Sequence, residues 1–369
     1  MFRINGQWLT VNQVSRLAVI LITSTAVLYI PSLVMQQAGN GGWVSPALSM
    51  LFGLLVIFMV YGLAKAYPGK ALSEYIPLIA GNTLGKVFAV LYALFFWHVG
   101  LLVVREVIWL IHVVLLPDTP LMALYLLIFS TMAYMLSGGL AAIARVLDFS
   151  YVLLSIPLLL LVTGTLGSFH SNAFLPLLDE GWSGVLRGAF VPSFWYGEII
   201  VAAMWLPNIQ TSKGVLLHLC KGLLITTVIL IVTIVVVTGT FGAPEAARMV
   251  FPTFLLIQYI QSGEMFQHLD AVFLFPWLFV MFLKAMLFYH SSASALSLTF
   301  GIKQQTQLVI PLLVLSIGVG TWIFPRDILL MEYLENTYAH VSLVFDLVFP
   351  LLFVGLHRMR RFKKQKAVS

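Results

Sequence analysis

Long apolar runs separated by short polar segments dominate the pattern of this chain. A helix needs ~20 consecutive apolar residues to cross the hydrocarbon core of a bilayer, and about ten segments approach or exceed that length. We therefore predict an all-α integral membrane protein with about ten transmembrane helices. The predicted spans, numbered first to tenth below, are 16–36, 43–66, 87–115, 121–137, 142–166, 189–206, 214–241, 271–299, 307–324 and 339–357.

Composition supports a membrane location. Hydrophobic residues make up 60% of the 369 positions and charged residues only 9%, whereas a soluble domain averages about 25% charge. The single cysteine, Cys220, excludes an intramolecular disulfide and a cysteine-based metal cluster. No linker or low-complexity tract divides the chain, so residues 1–369 are predicted to form one polytopic domain. The segment 252–261 has an apolar face and is either a short helix or a packed loop.

The distribution of charge predicts the orientation. An even number of spans places both termini on one side, and most of the 20 Lys and Arg residues fall in the loops and termini of that side. Basic loops face the cytoplasm, so both termini are predicted to be cytoplasmic. Residues 358–369 form a basic tail that we expect to lie beside anionic membrane lipid. This tail supplies much of the +6 charge, which therefore does not indicate nucleic-acid binding.

Two predicted spans contain residues that disturb a helix. The first span carries hydroxyl side chains followed by Pro31, and the sixth, PSFWYGEII, carries Gly197 and Glu198. They occupy matching places if the chain is a five-plus-five inverted repeat, with repeat one at about 11–166 and repeat two at about 189–357. A matched pair of broken helices indicates a transporter binding site. The alternative is that Pro31 only kinks its helix and Gly197 only allows close helix approach.

Five ionisable residues fall near the middle of predicted spans. A charge at the centre of a membrane helix costs ~2.5–3.5 kcal/mol, so these residues are expected to face water or one another. One interpretation is a set of ion pairs that fix helix register, with Arg105 pairing with Asp346 or Glu106. The other is a polar site for a zwitterion, in which Lys284 stands where a coupling cation would otherwise sit. We favour the second for Glu198 and Lys284, and assign Arg105, Glu106 and Asp346 to a buried charge network of undecided role.

Motifs of catalysis are absent from the sequence. It contains no H-E-x-x-H, G-x-S-x-G or P-loop pattern, and its histidines lack the spacing of metal ligands. We therefore expect no enzyme activity, no catalytic residue, no cofactor and no metal site.

Several short motifs occur along the chain at characteristic spacing. They are PGKALSEY at 68–75, LGKVFAVLYALFF at 84–96, VRE at 104–106, LPDTP at 116–120, LPLLDEG at 175–181, YGE at 196–198, FGAPEAAR at 241–248, FPT at 251–253 and the lysine at 284. Taken together, these motifs and their spacing resemble the B subunits of bacterial spore germinant receptors, over a length from about residue 11 to the tail.

This resemblance implies a permease-like fold of the amino acid–polyamine–organocation superfamily in the spore inner membrane. It also implies A and C subunits as partners and a small amino-acid-like germinant as ligand. Glycines usual in the first span of that family are here Ser24, Thr25 and Ala26, so the identity of the ligand does not transfer. The ligand-binding residues that the resemblance assigns are Ser24, Thr25, Ala26, Phe95, Val99, Tyr196, Gly197, Glu198 and Lys284.

Three functions are compatible with these observations. The leading hypothesis is a nutrient-sensing subunit that triggers germination when its ligand shifts the population of two conformations. The second is a proton- or sodium-coupled amino-acid transporter. The third is a mainly structural subunit whose pocket is vestigial.

Overall fold

A computed structural model describes residues 9–209, 213–261 and 269–366, and it confirms the predicted all-α class. Within these ranges the only β pairing is an isolated bridge between Leu9 and Ile209. The last residues of the basic tail, 367–369, lie outside the described part of the chain. The α-helices are α1 (Val11–Ala38), α2 (Ser45–Ala66), α3 (Leu72–Ala80), α4 (Asn82–Val114), α5 (Leu121–Ser137), α6 (Gly139–Gly164), α7 (Gly181–Gly197), α8 (Val215–Phe241), α9 (Ala243–Ala246), α10 (Pro252–Gln261), α11 (Leu269–Phe300), α12 (Thr306–Ile323), α13 (Asp327–Tyr333), α14 (Ala339–Leu343) and α15 (Phe349–Lys366).

Several segments depart from regular α-helix, among them short 3-10 helices at Gly39–Val44, Ser171–Phe174 and Leu206–Asn208. After α7 the chain continues as a 3-10 helix over Glu198–Met204, and α13, α14 and α15 are joined by π-helical turns at Leu334–Tyr338 and Val344–Val348. Among the described residues, seven helical stretches are long and apolar enough to cross a membrane, and Leu121–Ser137 is a shorter apolar helix. One of the seven, Val11–Ala66, contains both α1 and α2. The count of about ten spans stays a prediction.

Helix α1 forms the centre of the molecule. Every residue from Leu17 to Met35 is buried, and the helix packs against α7, α8 and α11. A helix that is apolar on all sides is expected in such an interior position. Its hydroxyl residues Thr23, Ser24 and Thr25 are therefore also removed from lipid, and they need partners within the protein.

Large apolar side chains cover the outer surface of the bundle. Leu127, Phe275 and Trp322 are among the exposed ones, with 63%, 67% and 80% of their surface accessible. A soluble monomer rarely exposes contiguous apolar patches of this kind. The surface therefore fits contact with lipid, while the buried polar groups lie inside the bundle.

The prediction that the first span is broken was wrong. Helix α1 continues through Pro31, although proline has no N–H to donate to the carbonyl four residues earlier. That carbonyl belongs to Val27, and it accepts a hydrogen bond of 2.6 Å from the hydroxyl of Thr253 in α10. The segment 252–261 is thus a helix, and one of its side chains satisfies the group that Pro31 leaves free.

Arg105 forms a different ion pair from those predicted. Its Nη2 lies 2.6 Å from Oδ1 of Asp327 at the start of α13, and its Nε donates to the carbonyl of Phe324 at 3.2 Å. Asp327 is the first residue of α13 and lies outside the predicted spans. It was therefore not among the predicted partners of Arg105. The pair joins α4 to α13 and does not involve Glu106 or Asp346.

Thr253→Val should destabilise the protein. The substitution keeps the shape of the side chain but leaves the buried Val27 carbonyl without a donor, at a cost of about 1–3 kcal/mol. We expect a lower thermal unfolding temperature of the detergent-solubilised protein. Thr163→Val is the matched control because the exposed Thr163 hydroxyl bonds only to carbonyls of its own helix. Equal melting temperatures for the two variants would contradict this role of Thr253.

Asp327→Asn should also lower the unfolding temperature. Arg105 is wholly buried while Asp327 is partly exposed, so losing the carboxylate leaves a buried guanidinium short of charge compensation, at a cost of about 2 kcal/mol or more. Asp148→Asn is the control, since it removes the exposed Arg16–Asp148 pair, and such pairs contribute about 0–1 kcal/mol. A larger loss for Asp148→Asn than for Asp327→Asn would refute the assignment.

Candidate functional site

Gly197 marks a change in helix type inside the sixth predicted span. Helix α7 ends at Gly197 and the 3-10 helix begins at Glu198, so the predicted disturbance is present as a change of winding. A Cβ at Gly197 would overlap the carboxyl group of Asp346, lying 2.9 Å from its Cγ. Glycine is therefore required for the close approach of the tenth span. Both interpretations of Gly197, a disturbed helix and a close helix contact, describe what is observed.

Glu198 and Lys284 form a fully buried ion pair beside this junction. The ammonium of Lys284 in α11 lies 2.6 Å from Oε2 of Glu198, and both side chains are at most 2% exposed. The ammonium donates a hydrogen bond to Oγ1 of Thr25 in α1, at 2.8 Å. Its contact with Oε2 of Glu198 is an ion pair without hydrogen-bond geometry. One cation thus connects α1, α11 and the start of the 3-10 helix.

Two aromatic residues complete this polar cluster. Trp195 in α7 donates its indole N–H to Oγ1 of Thr25 at 3.0 Å, and Tyr338 donates its hydroxyl to Oε1 of Glu198 at 2.8 Å. Their rings meet edge to face, with centroids 5.8 Å apart. Sequence reasoning missed both. Trp195 stands within the singled-out PSFWYGEII motif, which was a usable signal, but Tyr338 falls just before the predicted tenth span.

A small cavity lies next to the cluster. Its volume of about 10 Å³ is room for about one water molecule. Both polar and apolar side chains face it. The lining residues are Thr25, Val99, Leu102, Val103, Glu106, Trp195, Glu198, Leu334 and Tyr338.

The structure brings only part of the predicted ligand-binding set to this cavity. Thr25, Val99 and Glu198 line it, and Lys284 contacts two of them. Ser24 and Ala26 are buried neighbours in α1 that do not line it, and the Ser24 hydroxyl has no hydrogen-bond partner among the described residues.

Two residues of the predicted ligand-binding set pack away from the cavity. Tyr196 shares a hydrogen bond of 2.9 Å with the Thr227 hydroxyl of α8. Phe95 stacks on Phe345, with ring centroids 4.4 Å apart. Each therefore packs between helices rather than lining the cavity.

The members of the predicted charge network separate into three environments. Arg105 pairs with Asp327 at the start of α13. Glu106, the next residue of α4, lines the cavity. Asp346 is fully buried in a π-helical turn against Gly197, and neither of its oxygens accepts a hydrogen bond from the described residues. The three residues do not form one connected network.

The cluster has the chemistry of a binding site for a small polar ligand. It combines a buried ammonium, two carboxylates that face one cavity, and hydrogen-bonding aromatic side chains in a water-poor interior. Across residues 9–209, 213–261 and 269–366, no group of three or more His, Cys, Asp or Glu side chains could hold a metal ion.

Comparison with solved structures identifies the fold. The chain is similar to a Na⁺-coupled sialic acid symporter in a substrate-bound, outward-open state, with a TM-score of 0.66, 12% identity, and coverage of 92% of this chain and 78% of that one. It is also similar to Mhp1, a nucleobase-cation-symport-1 family transporter in a closed conformation with bromovinylhydantoin bound, with a TM-score of 0.63, 14% identity and coverage of 94% and 80%. At these identities the likeness shows the fold alone.

Sequence comparison identifies the family. Spore germination protein KB of Bacillus subtilis (strain 168) is 26% identical over 343 residues, which cover 90% of this chain and 91% of the relative. Spore germination protein A2 of the same organism is 26% identical over 325 residues, covering 85% and 86%. The spore permease family model, described as spore germination protein, matches residues 8–323. With most of its length matched by that model and its helices arranged as in coupled transporters, the chain belongs to the spore germination protein family of multi-pass membrane proteins.

Proposed function

We propose that this protein is the nutrient-sensing subunit of a spore germination receptor. It binds a small amino-acid-like ligand inside its permease-like fold, and this binding triggers germination. The single observation that carries the proposal is the buried Lys284–Glu198 pair at the Gly197 junction. Buried ion pairs within a membrane are rare and mark ligand or ion pathways by default.

The family supports a proposal for the partners and the membrane, and the charge distribution supports one for the orientation. We propose that the chain works with receptor A and C subunits in the spore inner membrane, with both termini in the cytoplasm. A sensor of this kind needs partners, because ligand binding inside one subunit has to be converted into an event elsewhere. The partner subunits would respond to the conformation that the ligand favours.

A ligand larger than a water molecule requires a rearrangement, because the cavity has room for about one water. Tyr338 is a connection that such a rearrangement would change. It joins the π-helical turn just before the tenth span to Glu198, and π turns frequently occur at functional sites. A ligand that competes for Glu198 would release the tenth span. The signal is then a shift between two helix arrangements.

The alternative function is a proton- or sodium-coupled amino-acid transporter. The fold of the two similar transporters favours it, whereas the family and the curated relatives favour germination. The Lys284 ammonium already joins α1 to α11, so a coupling cation is not needed to hold these helices together. We therefore place the sensing function first.

Glu198→Gln should impair nutrient-triggered germination without removing the protein from the membrane. Glutamine keeps the shape but leaves the buried Lys284 without its charge partner, and disrupting such a pair costs about 2–5 kcal/mol. We expect the nutrient concentration for half-maximal germination to rise by about 30-fold or more. The control is Glu332→Gln, because Glu332 is an exposed carboxylate in α13. An unchanged dose response for Glu198→Gln, at equal protein levels, would refute the proposal.

Uptake by the purified chain separates sensing from transport. Proteoliposomes containing this chain alone should not accumulate radiolabelled amino acids under a proton or sodium gradient. The wild-type protein is compared with Glu198→Gln and with protein-free liposomes, using a mixture of the common amino acids. Gradient-driven accumulation that is lost in Glu198→Gln would establish the transporter function instead.

A further inference from the structure

We infer that Glu106 binds the ammonium group of the ligand, so that the ligand is a primary amine or a zwitterion recognised chiefly through its amine. This inference rests on the proposed function, since it assigns chemistry to the same cavity. It adds a recognition residue that the sequence left undecided. It also separates Glu106 from its neighbour Arg105, which has a structural partner.

Glu106 is a buried carboxylate that faces the cavity without a partner. It is 3% exposed and lines the cavity together with Glu198 and Thr25. Among the described residues, no hydrogen bond or ion pair reaches the side chain of Glu106. Arg105 does not neutralise it, because that guanidinium is directed to Asp327 and to the carbonyl of Phe324.

The charges around the cavity are not balanced. Lys284 is the one cation in contact with its lining residues in the described part of the chain, and its ammonium pairs with Glu198 and donates a hydrogen bond to Thr25. Glu198 also receives the hydroxyl of Tyr338. Glu106 is thus a second carboxylate with no cation of its own. An ionised carboxylate in a membrane interior is strongly unfavourable unless a positive group compensates it.

An ammonium group suits this position better than a metal ion does. Hard cations such as Ca²⁺ and Mg²⁺ take about six or more oxygen ligands, whereas Glu106 is the one carboxylate of the lining that has no partner. Much of the remaining lining is apolar, with Val99, Leu102 and Val103 on the same helix as Glu106. An ammonium needs fewer partners than these cations, because its three N–H donors take three acceptors in charge-assisted hydrogen bonds. The side chains next to it would contact the carbon atoms of a small ligand.

Among the described residues, no cation at the cavity is free to bind a carboxylate of the ligand. Lys284 could bind it only by leaving Glu198, and Arg105 is held by Asp327. We therefore expect amines that lack the carboxylate to retain binding. Carboxylic acids that lack the amine should lose it.

Ligand-dependent thermal stabilisation of the full-length protein tests this assignment. The probes are glycine, L-alanine and L-valine, the matched amines methylamine, ethylamine and isobutylamine, and the matched acids acetate, propionate and 3-methylbutanoate, at constant sodium concentration. We expect at least one amino acid and its amine to stabilise the wild-type protein, and no acid to do so. In Glu106→Gln, the ligand concentration needed for the same stabilisation should rise by about 30-fold or more. Glu106→Asp should retain part of the stabilisation.

Controls separate failure of this inference from failure of the proposed function. Asp118→Asn removes an exposed carboxylate beyond the end of α4 and should bind the probes as the wild type does. Amino acids that stabilise the wild type and Glu106→Gln equally would overturn the role of Glu106 while leaving the proposed function intact. Stabilisation by the acids alone would replace the ammonium site by an anion site. In a separate titration without amine or amino acid, stabilisation by added sodium chloride that is lost in Glu106→Gln would replace it by a sodium site. No stabilisation by any amine or amino acid would overturn the inference, and normal nutrient response of Glu198→Gln spores would independently overturn the proposed function.

Discussion

The buried ammonium of Lys284 is the interaction on which the rest of the structure depends. Within a bilayer a charge is tolerated only where protein groups or water compensate it. Lys284 is compensated by Glu198 and Thr25, which come from distant parts of the sequence. This requirement draws α1, the start of the 3-10 helix and α11 together. It also explains why Thr25 and Trp195 are buried at the centre of the bundle, where their polar atoms complete the shell around the ion pair.

The backbone irregularities at Pro31 and at Gly197 lie inside the protein. Membrane helices tolerate such departures only where the freed backbone groups find partners or line a cavity. The Val27 carbonyl freed by Pro31 is bound by Thr253, and the Gly197 junction lies against Asp346 of a π-helical turn. The Gly197 junction and the π-helical turn that ends at Tyr338 thus lie beside the ion pair and the cavity.

The sequence predicts the fold class, most helix positions and the importance of Glu198 and Lys284, because these follow from local hydrophobicity and from the cost of buried charge. It does not predict which residues contact one another across the bundle. The continuity of α1 depends on Thr253, more than two hundred residues away, and Arg105 pairs with Asp327, outside the predicted spans. Phe95 and Tyr196 belong to helices of the site, but they lie on helix faces that direct their side chains to Phe345 and Thr227. Such orientations are set by packing between helices, which a single sequence does not specify.

A sensor of this design needs no ion gradient, as the magnitudes show. Moving a two-state equilibrium from 1:99 to 99:1 requires about 5.5 kcal/mol of differential binding energy. A buried, hydrogen-bonded charge pair couples its partners by about 2–5 kcal/mol, so one ammonium contact with Glu106 supplies much of this difference if it forms in only one arrangement. Competition with Tyr338 for Glu198 would add a further contribution of the same sign. The ligand itself then provides the free energy that a transporter would take from a gradient.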